Sequence, residues 1–309
     1  MSLAIEAEGL GRDYGDVRAL DALDLAVPRG AVVGLLGPNG AGKTTAMLLL
    51  ATLLSPTRGG ARVFGHDVVR ERPAVRRRLG LLFQESSVDG LLTPEENLLF
   101  AARLAGLGGR LARAAVADTI ERIGLGPRAR RPARELSGGW RRMLDIARAT
   151  LHQPDLLILD EPTVGLDPEH RDAIWSLLDA QRRVHGTTVL FSTHYLAEAE
   201  PTDRVLLLAQ GKVVAEDAPG ALRAELGEGI AEIEGPGAER LARALRGLGS
   251  TRVVLRTGRG YRVGIAGERE PVVELAGKAP GIERFALRPT SLEDVYFART
   301  QDAGEVAAW

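Results

Sequence analysis

Residues 31–44 read AVVGLLGPNGAGKT, an apolar run that leads directly into a glycine-rich loop. The apolar part, residues 31–36, predicts a β-strand covered on both faces, and residues 43–54 after the loop have a helical pattern. Further short apolar runs lie at residues 80–83, 156–159 and 188–191. Because helical segments separate these strands, the pattern predicts an α/β domain with a largely parallel sheet.

The glycine-rich loop, residues 37–44, fits G-x-x-x-x-G-K-[ST] between a strand and a helix, the setting that this pattern requires. We call it the phosphate loop, because its glycines let successive backbone N–H groups surround phosphate oxygens at a helix N-terminus. Lys43 is expected to reach the β- and γ-phosphates of a nucleotide, and the Thr44 hydroxyl is expected to bind Mg²⁺. The predicted contacts of the nucleotide are Gly37, Pro38, Asn39, Gly40, Ala41, Gly42, Lys43, Thr44 and Thr45.

Two acidic residues follow the apolar strand at residues 156–159. Asp160 stands at the end of this strand and Glu161 comes directly after it. A carboxylate at a strand end beside a phosphate loop is a suitable ligand for Mg²⁺, so Asp160 is predicted as a metal ligand. Glu161 is predicted to polarise an attacking water as a general base.

Four more features occur in a fixed order along the chain. Residues 136–140, LSGGW, form what we call the signature segment, in which a serine and two glycines precede a helix and predict donors for an anion. Gln84 follows one apolar strand and His194 follows another. Asp167 lies in the sequence GLDP at residues 165–168, a few positions after the acidic pair.

These motifs together resemble the nucleotide-binding subunits of ATP-binding cassette (ABC) transporters. The resemblance covers residues 3–226 and includes the phosphate loop, Gln84, Ser137 to Gly139, Asp160, Glu161, Asp167 and His194 in the family's order. It implies a P-loop cassette with a mixed sheet, a helical subdomain at about residues 90–153, and ATP with Mg²⁺ as cofactors. Tyr14, upstream of the phosphate loop, matches the aromatic residue that stacks on adenine.

The resemblance also implies a second cassette subunit, expected to be another copy of this chain. Each ATP would lie between the phosphate loop of one subunit and the signature segment of the other, where Ser137, Gly138 and Gly139 are the implied contacts. In this arrangement Glu161 positions the water, His194 contacts the γ-phosphate and Asp167 reaches across the dimer. The implied catalytic set is Glu161, His194, Gln84 and Lys43, and the implied metal set is Thr44, Gln84 and Asp160.

Trp140 departs from the family pattern, because the family usually has Gln at this position and its drug-export branch often has Met. An indole ring accepts no hydrogen bond, so any polar contact made by a glutamine here is lost. The donors on Ser137 and Gly139 remain, and hydrolysis is still expected.

The pattern of residues along the chain changes near residues 227–229. This change predicts two domains, a cassette at residues 1–227 and an accessory domain at 228–309. The order of strand and helix patterns over residues 230–287 is βαββαβ, with a last helix at residues 292–299, which predicts a small ferredoxin-like α+β domain. Residues 287–297, LRPTSLEDVYF, together with EPTVGLDP at 161–168, resemble the daunorubicin-resistance type of exporter subunit. That resemblance implies export of drugs or other amphipathic molecules.

Composition excludes several classes of protein. Forty basic and 41 acidic residues leave a formal charge of −1, so no global field favours nucleic acid, and no nucleic-acid partner is expected. The absence of cysteine excludes disulfide frameworks, zinc ribbons and thiol nucleophiles. No apolar run approaches the roughly 20 residues of a membrane span, and the N-terminus does not resemble a signal peptide. We therefore expect a cytoplasmic protein, peripheral on the inner face of the membrane, with a separate polytopic permease.

Two alternative functions remain open from the sequence alone. One is the ATPase of an importer, with a C-terminal domain that senses a ligand. The other is a soluble cassette ATPase that acts on ribosomes or DNA, although such proteins usually carry two cassettes or a long coiled coil. Co-purification with a polytopic membrane protein separates the transport class from the soluble class.

Overall fold

The computed structural model describes residues 2–301, which form two compact units: residues 2–194 with 210–212, and residues 195–209 with 213–301. Residue 1 and residues 302–309, the outer ends of the two expected domains, lie outside the described part of the chain. The first unit contains, in order, β1 (Leu3–Tyr14), β2 (Val17–Pro28), β3 (Val32–Leu36), α1 (Lys43–Leu50), β4 (Arg58–Val63), β5 (His66–Asp67), α2 (Arg72–Arg76), β6 (Leu79–Leu82), α3 (Pro94–Leu104), α4 (Gly109–Arg122), α5 (Gly138–Thr150), β7 (Leu156–Asp160), α6 (Pro168–His185) and β8 (Thr188–Thr193).

Four parallel strands of the first unit pair in the order β3-β8-β7-β6. Every residue of β7 and of β8 is buried, as expected for strands with both faces covered. The register pairs Leu36 with Thr193 and Asp160 with Ser192. Because the strands are parallel, the loops that follow them emerge at one edge of the sheet, and the predicted site residues follow these strands.

A second sheet in this unit has the order β2-β1-β4-β5, and the three pairings within it are antiparallel. The sequence analysis did not predict β4 and β5, since β4 begins with Arg58, Gly59 and Gly60, which interrupt an apolar pattern. Gly59 has a φ of +62°, and a Cβ atom there would lie 2.1 Å from the carbonyl oxygen of Gly9. The close contact between β4 and β1 therefore requires glycine at this position.

The helix after the phosphate loop is shorter than the sequence pattern predicts. Helix α1 ends at Leu50, whereas the apolar pattern continues to residue 54. Thr52 adopts a left-handed φ of +63°, and the N–H groups of Leu53 and Leu54 both donate to the carbonyl of Leu48. The apolar residues beyond Leu50 therefore do not continue the helix.

The predicted helical insert between residues 94 and 124 consists of α3 and α4. Thr93 caps α3 in a reciprocal arrangement, in which its hydroxyl accepts from the Glu96 N–H and the Glu96 carboxylate accepts from the Thr93 N–H. Pro94 stands at the first helical position, where its missing N–H carries no cost.

The second unit contains β9 (Arg204–Ala209), β10 (Lys212–Asp217), α7 (Pro219–Leu226), β11 (Gly229–Glu234), α8 (Ala238–Arg246), β12 (Thr251–Arg256), β13 (Gly260–Ile265), α9 (Glu270–Lys278), β14 (Arg284–Pro289) and α10 (Leu292–Gln301). From β11 to β14 the order of elements is βαββαβ, and the four strands form an antiparallel sheet in the order β12-β13-β11-β14. Helices α8 and α9 pack against it through Leu241, Leu245 and Val272, which are almost fully buried. None of the helices between residues 2 and 301 is long and apolar enough to cross a membrane.

Candidate functional site

The site is built at the edge of the parallel sheet where β3, β6, β7 and β8 end. The phosphate loop follows β3, Glu161 follows β7 and His194 follows β8. Strand pairing brings these segments together although they are far apart along the chain, and Asp160 lies directly opposite Ser192 in the register.

The backbone of the phosphate loop depends on glycine at two positions. Gly40 and Gly42 have φ values of +81° and +103°, which side chains rarely allow. A Cβ atom on Gly42 would also lie 2.7 Å from the carbonyl oxygen of Ala19 in β2. Helix α1 begins directly after Gly42, and its first N–H groups, with those of the loop, remain the predicted anion-binding cradle.

Lys43 is buried at the base of the phosphate loop. Its Nζ atom donates to the carbonyl oxygens of Gly37 at 2.7 Å and of Pro38 at 3.0 Å. Burial lowers the pKa of Lys43 below its usual value, while the carboxylates of Glu161 and Asp160 act in the opposite direction. The loop carbonyls thus hold the amine where the phosphates of a nucleotide are expected.

Asp160 is held by two hydroxyl groups. Its Oδ2 atom accepts from Thr44 Oγ1 at 2.9 Å, and its Oδ1 atom accepts from Ser192 Oγ at 2.5 Å. Ser192 Oγ also accepts from the Glu161 N–H at 2.9 Å. One serine therefore orients both members of the acidic pair. The structure brings together Thr44 and Asp160, two of the three predicted metal ligands.

Glu161 adopts an unusual backbone conformation and is nearly buried. Its φ is +47°, a left-handed value that costs a non-glycine residue free energy and must be held by its surroundings. Only 7% of the residue is exposed. Its Oε1 atom lies 3.0 Å from Nδ1 of His194, so the predicted base and the predicted γ-phosphate contact are joined directly.

A buried arginine that the sequence analysis did not select clamps the ends of two strands. Arg142, in α5, donates to the carbonyls of Asp160 at 2.9 Å, Glu161 at 2.7 Å and Pro162 at 2.9 Å. It also donates to the carbonyl of Phe83 at 2.6 Å, beyond the end of β6. These bonds give the carbonyls around the left-handed turn at Glu161 a charged donor inside the fold.

The signature segment forms the start of α5. Ser137 is the N-cap, and its hydroxyl accepts from the Trp140 N–H at 3.4 Å, so the glycines belong to the first turn of the helix. Asp167 caps α6: its Oδ1 atom accepts from the His170 N–H at 3.0 Å, and its Oδ2 atom lies 2.8 Å from His170 Nδ1. The backbone N–H and then the imidazole of His170 hold the pKa of Asp167 below its usual value.

Within residues 2–301, two predicted site residues make no side-chain hydrogen bond to the other predicted site residues. The side chain of Gln84 is exposed, and only its backbone carbonyl is engaged, by Arg142 at 3.3 Å. Tyr14 ends β1 with 45% of its surface exposed, and the Arg12 guanidinium lies 4.9 Å from its ring centroid. Their roles in metal and adenine binding remain predictions.

Comparison with known families matches residues 20–164 to the family described as ABC transporter. The chain is 42% identical to the daunorubicin/doxorubicin resistance ATP-binding protein DrrA of Streptomyces peucetius, over 96% of this chain and 92% of that protein. The chain belongs to the ABC transporter family. This cassette is also 37% identical to the Nod factor export ATP-binding protein I of Burkholderia orbicola, over 97% of this chain and 98% of that protein.

A solved cassette with a similar fold supports the enzymatic assignment. It is a dimeric ATP-binding cassette in a post-hydrolysis state bound to ADP and phosphate, and it superposes with a TM-score of 0.63 at 26% identity. The match covers 69% of this chain and 98% of that chain. The predicted P-loop cassette fold, the resemblance to daunorubicin-resistance subunits and the ABC-type ATPase activity are confirmed.

The residues that sequence reasoning missed in this cassette are Arg142 and Ser192. Ser192 had a usable signal, because a hydroxyl near the end of an apolar strand needs a polar partner when it is buried. Arg142 had no such signal, because it is one of several arginines in α5 and its partners are backbone carbonyls, which every residue carries.

Proposed function

We propose that this cassette is the ATP-hydrolysing subunit of an exporter of drugs or other amphipathic molecules. The observation that carries the proposal is that four predicted site residues lie together at one edge of the sheet: Lys43, Asp160, Glu161 and His194. The full-length relatives of this chain include drug-resistance and Nod factor export ATP-binding proteins. The likeness to these relatives includes the C-terminal unit, since it extends over 96% or more of the chain.

Water attacks the γ-phosphorus of ATP, the bond between this phosphorus and the β–γ bridging oxygen breaks, and ADP and phosphate are formed. Glu161 accepts a proton from the attacking water, and His194 Nδ1, 3.0 Å from Glu161 Oε1, keeps that carboxylate oriented. Lys43 leaves the carbonyls of Gly37 and Pro38 for the β- and γ-phosphates, and the loop N–H groups hold the remaining phosphate oxygens.

Mg²⁺ fits the donors beside the phosphate loop. Thr44 Oγ1 and the Asp160 carboxylate are hard oxygen ligands 2.9 Å apart, and Mg²⁺ usually takes few protein ligands, with water and phosphate oxygens completing its shell. When bound, the ion would neutralise charge on the β- and γ-phosphates. Ser192 donates to the Oδ1 atom of Asp160, and the Oδ2 atom faces Thr44.

The active form in this proposal is a head-to-tail homodimer. Ser137 and Gly138 are exposed at the start of α5, where their donors are accessible to the nucleotide of a second subunit. Asp167 is exposed at the start of α6 and supplies the second contact. A phosphoryl-transfer site works by positioning and charge neutralisation, so a half-site without these donors is expected to be nearly inactive.

A separate permease is the proposed membrane partner, a proposal supported by relatives that are ATP-binding proteins of drug resistance and of Nod factor export. A groove of about 710 Å³ in the first unit is the proposed docking surface, and Leu53, Leu104, Arg77 and Asp145 are among its lining residues. Leu53 and Leu104 are 45% and 73% exposed. A cytoplasmic segment of the permease would cover these apolar side chains, and the chain would then lie on the inner face of the membrane.

The C-terminal unit is proposed to carry a ferredoxin-like accessory domain at residues 228–309, which follows a cassette at residues 1–227. The strand order β12-β13-β11-β14 with two helices on the sheet supports this classification.

Single-cysteine crosslinking tests the docking proposal without background, because the chain has no cysteine of its own. Leu104→Cys in the groove is expected to crosslink to a polytopic protein in membranes that carry the exporter. Leu111→Cys is the matched control, since it is 70% exposed on α4 and does not line the groove. Equal labelling of both variants, or recovery only in the soluble fraction, contradicts a permease-docked subunit.

A further inference from the structure

Trp140, the departure from the family pattern, packs its ring against a histidine of α6. The ring centroids of Trp140 and His170 are 5.6 Å apart and the ring planes are perpendicular. Such edge-to-face pairs are attractive beyond the burial of their surface. The Arg128 guanidinium lies 4.9 Å from the Trp140 centroid, so the indole contacts a cation as well as the imidazole.

His170 also fills the space beside Gly139. A Cβ atom on Gly139 would lie 2.5 Å from both Cδ2 and Cγ of His170, a distance that real Cβ atoms do not show. The second glycine of the signature segment is therefore required by the imidazole of this chain. An equivalent Cβ atom on Gly138 would meet nothing within 4 Å.

The same imidazole reaches Asp167 on its other side. Asp167 uses one carboxylate oxygen for the His170 N–H and the other for His170 Nδ1, at 3.0 Å and 2.8 Å. The side chain of Asp167 is still 56% exposed, whereas that of His170 is 20% exposed. His170 thus lies between an exposed carboxylate and the signature segment, and it contacts both.

We propose that His170 is a positioning residue that couples Asp167 to the signature segment, with Trp140 as its packing partner. The inference rests on the proposed dimer, in which both elements contact the second subunit. His170 holds the Asp167 carboxylate at a set distance from the donors of Ser137 and Gly138 before that subunit arrives. Preorganised contacts lose less conformational freedom on association, so the coupling favours ATP-driven closure of the dimer.

The first experiment compares two substitutions at opposite ends of α6 in the full chain. His170→Phe keeps a ring beside Gly139 and Trp140 but removes the bond to Asp167. His185→Phe is the matched control, since His185 is exposed in the last turn of the same helix. We expect His170→Phe to lower kcat about five- to tenfold, as for a lost hydrogen bond to a partly exposed carboxylate.

KM for ATP separates a positioning role from a binding role. It is expected to stay within about twofold of wild type in His170→Phe, because Lys43 and the phosphate loop are unchanged. The control variant should keep the wild-type kcat, and the unfolding midpoint of all variants should stay near that of wild type. A wild-type kcat in His170→Phe, or an equal loss in His185→Phe, overturns the proposal.

A second variant tests the packing partner Trp140 and leaves His170 itself unchanged. Trp140→Met keeps the bond between His170 and Asp167 but loses the edge-to-face contact. If both contacts act through one coupling, the double variant loses less in kcat than the product of the two single losses. Independent, multiplicative losses would contradict the coupling.

The dimer itself is measured by size-exclusion chromatography with ATP in a Glu161→Gln background. Adding His170→Phe is expected to raise the protein concentration needed for dimerisation, and adding His185→Phe is not. A Glu161→Gln chain that stays monomeric with ATP contradicts the proposed dimer. The coupling is then judged separately, by whether His170→Phe lowers kcat more than its control does.

Discussion

The Nδ1 atom of His194 lies 3.0 Å from the Oε1 atom of Glu161, a contact between the residues that directly follow two neighbouring parallel strands. Glu161 reaches this position only in a left-handed backbone conformation, with φ at +47°. Ser192 and Arg142 hold that conformation through the N–H and the carbonyl of Glu161. The strained backbone of Glu161 therefore places its carboxylate beside His194.

Glu161→Gln is expected to lower kcat at least about a hundredfold, the lower range for loss of a general base. Glutamine can hold a water but cannot take its proton. ATP affinity should remain within a few-fold, because Lys43 and the loop N–H groups are intact. Steady-state hydrolysis and fluorescent-nucleotide binding measure the two quantities. Glu169→Gln, an exposed neighbour on α6, is the control, and hydrolysis by Glu161→Gln near the wild-type rate would rule out its role as base.

Arg142→Gln is expected to destabilise the fold by about 2–4 kcal/mol, because buried carbonyls lose their charged donor. It should also lower kcat more than it raises KM, since the released carbonyls include that of Glu161. Arg141→Gln is the matched control, because Arg141 donates to the Leu136 carbonyl at the longer distance of 3.3 Å. Denaturant unfolding and steady-state kinetics test both effects, and equal losses in the two variants would show that the clamp has no special role.

Ser192→Ala removes the hydroxyl that orients both Asp160 and Glu161. We expect the Mg²⁺ concentration for half-maximal activity to rise several-fold and the free energy of unfolding to fall by about 1–2 kcal/mol. Ser176→Ala, on the exposed face of α6, is expected to change neither quantity. A magnesium titration of ATPase activity measures the effect, and an unchanged midpoint would contradict the role of Ser192 in orienting Asp160 as a metal ligand.

Gly139→Ala is expected to lower stability by about 1–3 kcal/mol, the usual range for an overpacked site. The added methyl group would lie 2.5 Å from the His170 ring, which would have to move. Gly138→Ala adds the same methyl group in open space at the start of the same helix, so it should not destabilise the chain. Thermal unfolding of the two variants compares them, and similar midpoints would contradict the packing of His170 on Gly139.

Stability in the C-terminal unit is expected to fall at acid pH through Asp294. Burial by itself raises the pKa of Asp294. Hydrogen bonds from Arg288 and from the Ser291 N–H lower this pKa by more than burial raises it, so the pKa lies below its usual value. A lowered folded pKa means that the stabilisation is full above the usual aspartate pKa of about 3.9 and is lost as pH falls through the folded value.

The variant Asp294→Asn isolates this contribution. Loss of one partner of a buried pair costs about 3–5 kcal/mol at neutral pH, and asparagine retains part of the hydrogen bonding, so we expect about 2–3 kcal/mol. The difference from wild type should shrink between pH 5 and pH 2, roughly the range in which carboxylates protonate. Glu293→Gln serves as the control, because Glu293 is half exposed. A difference that is independent of pH in denaturant titrations would contradict the assignment.

The nucleotide chemistry of this protein could be predicted from short stretches of sequence alone. The phosphate loop, the acidic pair after β7 and the signature segment are contiguous motifs, and each contains the glycine, the charge or the cap that its local backbone needs. A motif within ten residues expresses its geometry through local sterics, so it can be read before any folding is known. The parallel strands could be predicted for a similar reason, because continuous apolar runs have few other places than a doubly covered sheet.

The contacts that hold these motifs in place became visible only in the folded chain. Arg142 and its acceptor on Phe83 are separated by 59 positions, and Ser192 and Asp160 by 32. The contact between Trp140 and His170 joins two helices. The end of α1 at Leu50 follows from a left-handed turn at Thr52 and not from a break in the apolar pattern. Such features depend on which backbone carbonyls and rings the fold brings within a few ångströms of a side chain. The residue type at one position does not determine these distances.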